Sequence, residues 1–121
     1  MLLKQRSPRT RDKGHLEALA QCPCAVCGAN PPSECAHVRV SDFDLQVEQA
    51  GMGAKPDDEI ALPMCPDHHR LGDGAEHVVG TKAFWRKHAT IKPLALAREL
   101  YRLSPNVEAM SALILRGVYF R

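Results

Sequence analysis

The sequence has few aromatic residues and no long apolar run. Aromatic side chains make up only 5% of the 121 residues, so the hydrophobic core has few large groups to bury. No stretch approaches the roughly 18 consecutive apolar residues of a membrane-spanning helix, and the apolar opening is too short for a signal peptide. These shortages predict a cytoplasmic chain with no membrane partner. A core this small is expected to need a further stabilising element, such as a bound metal ion.

Net charge is also small, at +2, but the charges are unevenly distributed. The segment KQRSPRTRDK (4–13) contains five Lys or Arg residues and one Asp. Such a segment predicts a basic, flexible N-terminal arm over 1–13 that can lie along phosphate groups. A solvated tail without a partner is the alternative.

Hydrophobic patterning predicts an α+β fold. Apolar residues at helical spacing occur in GHLEALAQ (14–21), and alternating or short apolar runs typical of strands occur in ECAHVRV (34–40) and IALPMC (60–65). A long polar segment with several glycines separates the two strands. A helix is expected to begin at Pro66 and to be interrupted by LGDG (71–74), because glycines weaken a helix interior.

The end of the chain has the strongest helical patterns. PLALARELYRL (93–103) and NVEAMSALIL (106–115) both repeat apolar residues at helical spacing, and Asn106 is a candidate N-cap for the second. We therefore expect a core over 14–92 and two closing helices within 93–121 that pack on it.

Five cysteines are an odd number for a disulfide framework, and in a reducing compartment clustered cysteines more often bind metal. The sequence contains a C-x-x-C-G turn (24–28) and a C-x-x-H turn (65–68), each able to bring two ligands to one ion. Together they supply the four ligands of a closed tetrahedral zinc site: Cys24, Cys27, Cys65 and His68. A redox dithiol or buried free thiols are the alternatives. Cys22 and Cys35 are expected to be small core residues, with Cys22 as an alternative zinc ligand in place of Cys24, because Cys22-Pro23-Cys24 is too tight a turn to contribute both sulfurs.

His68 and His69 are adjacent, and adjacent side chains on a helix point roughly 100° apart. If both histidines bind something, they are expected to serve two different sites. His37, His69 and His77 then have no structural duty, although each alone is typical of an ordinary packed or surface histidine.

The order C-x-x-C, A-H, C-x-x-H-H, H resembles the HNH, or ββα-metal, nucleases. Within this family, the chain more closely resembles the phage-borne Ref-type nucleases, with their RecA-dependent relatives, and the related small prophage nucleases. The matching segments cover about 15 to 85, in the same order: HLEALAQCPCAVCG (15–28), AHVR (36–39), GAKPDD (53–58), LPMCPDHH (62–69) and HVVGTKAFW (77–85).

The resemblance implies a zinc-stapled ββα-metal core with flanking helices at both ends. It implies that His37 is the catalytic base, that Asp58 orients it, and that His69 and His77 bind a catalytic cation, Mg²⁺ or Mn²⁺ or else Zn²⁺. Two departures from the family pattern matter. Asp73 stands one helical turn after His69, where relatives have the last histidine, so Asp73 is the alternative ligand to His77. Ala36 stands where relatives have a further ligand.

The implied function is a metal-dependent endonuclease, or nickase, that hydrolyses DNA with little sequence specificity. The family also implies a role in phage or prophage recombination or DNA processing inside a bacterial host, with a recombinase filament such as RecA as a partner. A non-catalytic, zinc-stapled nucleic-acid-binding module is the alternative. The expected partner is DNA, either duplex or single-stranded. The basic residues expected to contact its phosphates are Arg39, Lys55, Arg6, Arg9, Arg11, Lys82 and Arg86.

Overall fold

The computed structural model describes residues 11–40 and 57–120. These residues form an α+β fold in which a two-stranded sheet is surrounded by helices. The strands are short, and the two longest helices come last. In chain order the elements are α1 (Lys13–Ala20), β1 (Glu34–His37), a 3-10 turn (Asp58–Ile60), β2 (Ala61–Met64), a π-helical turn (Asp67–Leu71), α2 (Glu76–Val79), α3 (Thr81–Lys87), α4 (Pro93–Leu103) and α5 (Val107–Tyr119).

Strands β1 and β2 pair antiparallel, with Glu34 opposite Met64 and His37 opposite Ala61. Both strands lie within the predicted segments, and β1 is shorter than expected. One further backbone hydrogen bond extends the contact beyond β1, from the Val38 amide to the Ile60 carbonyl at 2.8 Å. Proline has no backbone N–H to donate to a neighbouring strand. Pro63 is tolerated in β2 because each strand of a two-stranded sheet has one edge that pairs with no other strand.

The few aromatic side chains are concentrated in the core. Phe84 and Trp85 of α3 are almost completely buried, in edge-to-face contact with ring centroids 4.8 Å apart. The last two helices contribute to the same core: α4 supplies Leu100, and α5 supplies Met110 and Ile114. The N-cap prediction for α5 is confirmed by the Asn106 side chain, which accepts the Ala109 amide at 3.0 Å.

The chain after Cys65 differs from the single interrupted helix expected from sequence. It forms a π-helical turn, in which the Gly72 amide donates to the Asp67 carbonyl five residues earlier at 3.0 Å. A Cβ on Gly72 would lie 2.6 Å from that carbonyl oxygen, so a residue without a side chain is required there. Helices α2 and α3 follow, separated by Gly80 at φ 96°. The wide turn sets the directions of the two adjacent histidines within it.

Among the described residues, no helix combines the length and the apolar character needed to cross a membrane.

Candidate metal and catalytic sites

The first candidate site is formed by the two turns that the cysteine spacing predicted. The Cys27 Sγ lies 3.8 Å from the Cys65 Sγ, and the Cys65 Sγ lies 3.2 Å from the His68 Nδ1. One ligand atom from each of four residues lies within 4.8 Å of the other three: Cys24, Cys27, Cys65 and His68. These four residues are therefore close enough to hold a metal ion, and we call them the Cys3His cluster.

Backbone contacts fix the first turn against the sheet. Gly28 adopts φ 77° and donates its amide to the Cys24 carbonyl at 2.8 Å, which closes the turn. The Ala25 amide donates to the Pro63 carbonyl of β2 at 2.8 Å, so the side of Pro63 that is not paired to β1 anchors the turn. Because β2 leads directly into Cys65, the same strand positions both halves of the Cys3His cluster.

The thiols of this cluster differ in their affinity for a proton. Burial opposes the thiolate of Cys24, but hydrogen bonds from backbone amides outweigh that cost and lower its pKa. Partial desolvation, reinforced by the adjacent Cys24 sulfur and opposed by the Ala29 backbone hydrogen bond, raises the pKa of the Cys27 thiol to about 12. Thiolates this close to one another repel unless a cation lies between them. A metal ion binds the deprotonated thiols, so its binding releases the protons that the thiols still carry.

The second candidate site lies on the other side of the π-helical turn. His69 comes from that turn, whereas Glu76 and His77 come from the first turn of α2, and one ligand atom from each lies within 4.8 Å of the other two. The His69 and His77 rings are 4.4 Å apart, centroid to centroid. We call these three residues the His2Glu cluster. The adjacent residues His68 and His69 thus belong to different clusters.

Glu76 is the member of this cluster that sequence reasoning missed. It is buried, and its Oε2 accepts a hydrogen bond from the Trp85 indole Nε1 at 3.1 Å. Burial raises the pKa of the Glu76 carboxyl, while the Trp85 hydrogen bond and the nearby His77 and Arg39 side chains act in the opposite direction. A buried carboxylate needs such partners, and a bound cation would be a further one.

Asp73, which the sequence offered as the alternative to His77, is not part of the His2Glu cluster. It is exposed in the turn between the π-helical segment and α2. The segment between His69 and His77 forms this turn, in which Asp73 is exposed and after which α2 returns to His69. The one signal in the sequence for Glu76 is its place directly before His77.

His37 forms a separate pair with Asp58. Its Nε2 lies 2.8 Å from the Asp58 Oδ1, and the buried Asp58 also accepts the Asp12 backbone amide on Oδ2 at 2.8 Å. Asp12 in turn accepts the His15 amide at the start of α1 and the Tyr101 hydroxyl of α4 at 3.0 Å. Helices from both ends of the chain therefore hold the carboxylate that contacts His37.

His37 and the His2Glu cluster occupy different places around β1. Side chains alternate between the two faces of a strand, so His37 begins on the face opposite to Glu34, the β1 residue that contacts His69. Arg39 is exposed just beyond β1, and its positive charge opposes the rise in the Glu76 pKa that burial causes.

The cations expected to contact phosphates are only partly described. Arg6, Arg9 and Lys55 lie outside the described residues. Arg11 is exposed beside Asp12, and on α3 Arg86 is exposed while Lys82 is half-buried.

Comparisons of this chain with protein-family models, with curated proteins and with solved structures found no match.

Proposed function

We propose that this chain is a metal-dependent endonuclease, or nickase, that hydrolyses DNA phosphodiester bonds. The observation that carries the proposal is the separation of His68 and His69 into two clusters with different ligand chemistry. A sulfur-rich cluster is typical of a structural ion, whereas an imidazole and carboxylate cluster is typical of an ion that acts on a substrate. On this proposal, the β1–β2 hairpin and the turns that follow it are a ββα-metal core.

The Cys3His cluster fits zinc. Three sulfurs and one imidazole nitrogen are a complete tetrahedral set, which leaves no position for a substrate. Structural zinc in small peptides contributes about 10–16 kcal/mol of apparent binding free energy, which would compensate for a core with so few large side chains. The role proposed for this ion is to hold the Cys24–Cys27 turn, β2 and the π-helical turn together.

The His2Glu cluster fits a divalent cation with open coordination positions. Two imidazoles and a carboxylate suit Mn²⁺ or Zn²⁺, and they suit Mg²⁺ less well because it prefers oxygen ligands. A cation held there would supply positive charge to the phosphate oxygens and to the leaving oxygen during hydrolysis. The proposed ligands are His69, His77 and Glu76, the last replacing Asp73 among the residues expected from sequence.

The proposed base is His37. An ionised Asp58 can only accept a hydrogen bond, so it favours the tautomer of His37 that carries its proton on Nε2, at 2.8 Å from the carboxylate. The lone pair is then on Nδ1, which can take the proton of a water molecule while the water oxygen forms a bond to phosphorus. The bond from phosphorus to the sugar oxygen breaks, and that oxygen takes a proton from solvent. Arg39 can donate two hydrogen bonds to the phosphate.

Binding of DNA is proposed to depend on the phosphate backbone. Arginine and lysine contacts to phosphates position a protein without reading sequence, so low specificity and strong salt dependence are expected. The resemblance to Ref-type nucleases alone suggests the remaining features: a phage or prophage setting, action in the cytoplasm of a bacterial host, and a RecA-type recombinase filament as partner.

Plasmid nicking tests the proposal. The zinc-loaded protein is expected to convert supercoiled plasmid to open-circular form with Mn²⁺, and His37→Ala is expected to slow nicking by about 10²–10⁴-fold, the usual contribution of a general base. The control is Glu99→Ala, which removes an exposed carboxylate on α4. If no divalent cation supports nicking although the protein still binds DNA, the chain is a non-catalytic nucleic-acid-binding module.

A further inference from the structure

We propose that Glu34 is a positioning residue that selects which ring nitrogen His69 presents to a cation. This inference rests on the proposed function, because it assumes that the His2Glu cluster holds a cation. It adds a residue of β1 to a site otherwise built from the π-helical turn and α2.

The contact between Glu34 and His69 is short and specific. The Glu34 Oε1 lies 2.8 Å from the His69 Nδ1, and the side chains are 28% and 13% exposed. This contact joins residues 35 positions apart in the chain. It forms because Glu34 begins β1 directly opposite Met64, the last residue of β2, and the π-helical turn begins three residues after Met64.

Arg70 determines the chemical state of the Glu34 carboxylate. Its Nε lies 3.0 Å from Oε1 and 3.1 Å from Oε2, and its Nη2 lies 2.8 Å from Oε2. A guanidinium in this forked contact keeps the carboxylate ionised and fixes its plane. An ionised carboxylate has no proton to donate, so the hydrogen in the contact with His69 belongs to Nδ1.

The contact with Glu34 also determines the state of Nε2, the other ring nitrogen of His69. With the proton on Nδ1, the neutral His69 ring carries its lone pair on Nε2, and Nε2 is the atom it can offer to a cation with Glu76 and His77. A carboxylate behind a metal-bound histidine also makes that histidine a stronger ligand, and loss of such a partner typically costs 10–100-fold in metal affinity. The role of Arg70 in this proposal is to hold the Glu34 carboxylate, and contact with DNA is not assigned to it.

Nitrogen-15 NMR tests the tautomer directly. In protein with zinc at the Cys3His cluster and no other metal, at pH 8, His69 is expected to show a protonated Nδ1 and an unprotonated Nε2. Glu34→Ala is expected to shift His69 toward a mixture of tautomers, and Glu34→Gln to retain part of the wild-type pattern because its amide oxygen can still accept from Nδ1. The control is Glu99→Ala, since Glu99 is also an exposed carboxylate paired with an arginine, Arg102, at 2.6 Å.

Binding of Mn²⁺, followed by the loss of the free-ion signal in electron paramagnetic resonance, gives the second readout. Affinity is expected to fall by about 10–100-fold in Glu34→Ala, to recover partly in Glu34→Gln and to stay unchanged in Glu99→Ala. The inference is overturned if wild-type protein binds Mn²⁺ but neither the tautomer nor the affinity depends on residue 34. Failure of the proposed function looks different, because the wild-type protein then binds no second cation at all. Retention of one zinc per chain in every variant shows that the fold is intact.

Discussion

His68 and His69 are neighbours in the chain, yet His68 lies beside the Cys65 sulfur at 3.2 Å while His69 lies beside the His77 ring at 4.4 Å. Adjacent side chains on any helical turn point in different directions, and the π-helical turn thus directs the two imidazoles to different sides of one short segment. Each imidazole therefore joins ligands from a different part of the chain. The account of function depends on this separation, and the predictions that follow test its parts one at a time.

Replacement of Cys65 by serine is expected to remove the structural ion. Cys65 contacts both Cys27 and His68, so its loss opens the Cys3His cluster at its centre. We expect the zinc content to fall from one ion per chain and the melting temperature to drop steeply, because metal binding and folding are coupled. Elemental analysis and calorimetry measure both effects.

The matched control for that experiment is Cys35→Ser. Cys35 is half-buried outside the cluster, where its Sγ contacts the Leu16 carbonyl at 3.4 Å. This variant is expected to keep its zinc. Equal loss of zinc from both variants would contradict the assignment of ligands.

Glu76→Gln is expected to weaken the second cation without unfolding the protein. The amide keeps the size of the side chain and an oxygen that can accept from the Trp85 indole, but it removes the negative charge. Loss of a residue that only supports a metal ligand typically lowers metal affinity by roughly 10–100-fold. Glu76 is itself a proposed ligand, so we expect its replacement to lower Mn²⁺ affinity by at least that much. Asp73→Asn is the control, since it removes the charge of an exposed carboxylate outside the cluster. If only the Asp73 variant lost the cation, the choice between the two carboxylates would be reversed.

Asp58→Asn is expected to slow nicking while leaving both clusters intact. The amide can still contact His37, but it no longer requires a proton on Nε2, so a smaller fraction of His37 has its lone pair on Nδ1. The expected result is a lower turnover number with unchanged binding of plasmid in the absence of a divalent cation. Normal turnover in this variant would exclude Asp58 from the orientation of the base.

The contribution of Asp12 to stability is expected to depend on pH. A hydrogen bond from the His15 backbone amide, followed by one from Tyr101, lowers the pKa of the Asp12 carboxyl below its ordinary value of 3.8. A carboxyl with a lowered pKa in the folded state stabilises the fold above its unfolded pKa, and this contribution disappears as the pH falls through the folded value.

The measurement is a comparison of wild type with Asp12→Asn by urea unfolding at several pH values, in the same zinc concentration. The free energy of unfolding of wild type minus that of Asp12→Asn is expected to be constant above about pH 5. It is expected to shrink below pH 3.8, because the Asp12 carboxyl is protonated in the unfolded wild-type protein before it is protonated in the folded one. A difference that grew on acidification would show that the Asp12 carboxylate destabilises the fold.

The sequence predicted the elements that depend on local spacing. The C-x-x-C-G and C-x-x-H turns, the strand segments and the two closing helices follow from patterns within a few residues, and local patterns survive folding. The pairing of His37 with Asp58 was expected from the resemblance to a known family, and the two side chains do lie 2.8 Å apart. Their catalytic roles stay a proposal.

The residues that were missed depend on tertiary contacts. Glu76 belongs to a four-residue helix, too short for a periodic pattern, and its importance is visible only beside the Trp85 indole. Glu34 contacts His69 only through the register of β1 against β2, which no spacing in the sequence indicates. The π-helical turn differs from an α-helix by one residue per hydrogen-bonded turn, a difference that leaves no mark on hydrophobic periodicity.

The most direct test of the central claim is to locate the two cations in crystals of the zinc-loaded protein soaked in Mn²⁺, with anomalous scattering recorded separately for each element. The account predicts a zinc peak bound by Cys24, Cys27, Cys65 and His68, and a separate manganese peak bound by His69, Glu76 and His77. A single peak contacted by both His68 and His69, or an empty His2Glu cluster at saturating Mn²⁺, would contradict it.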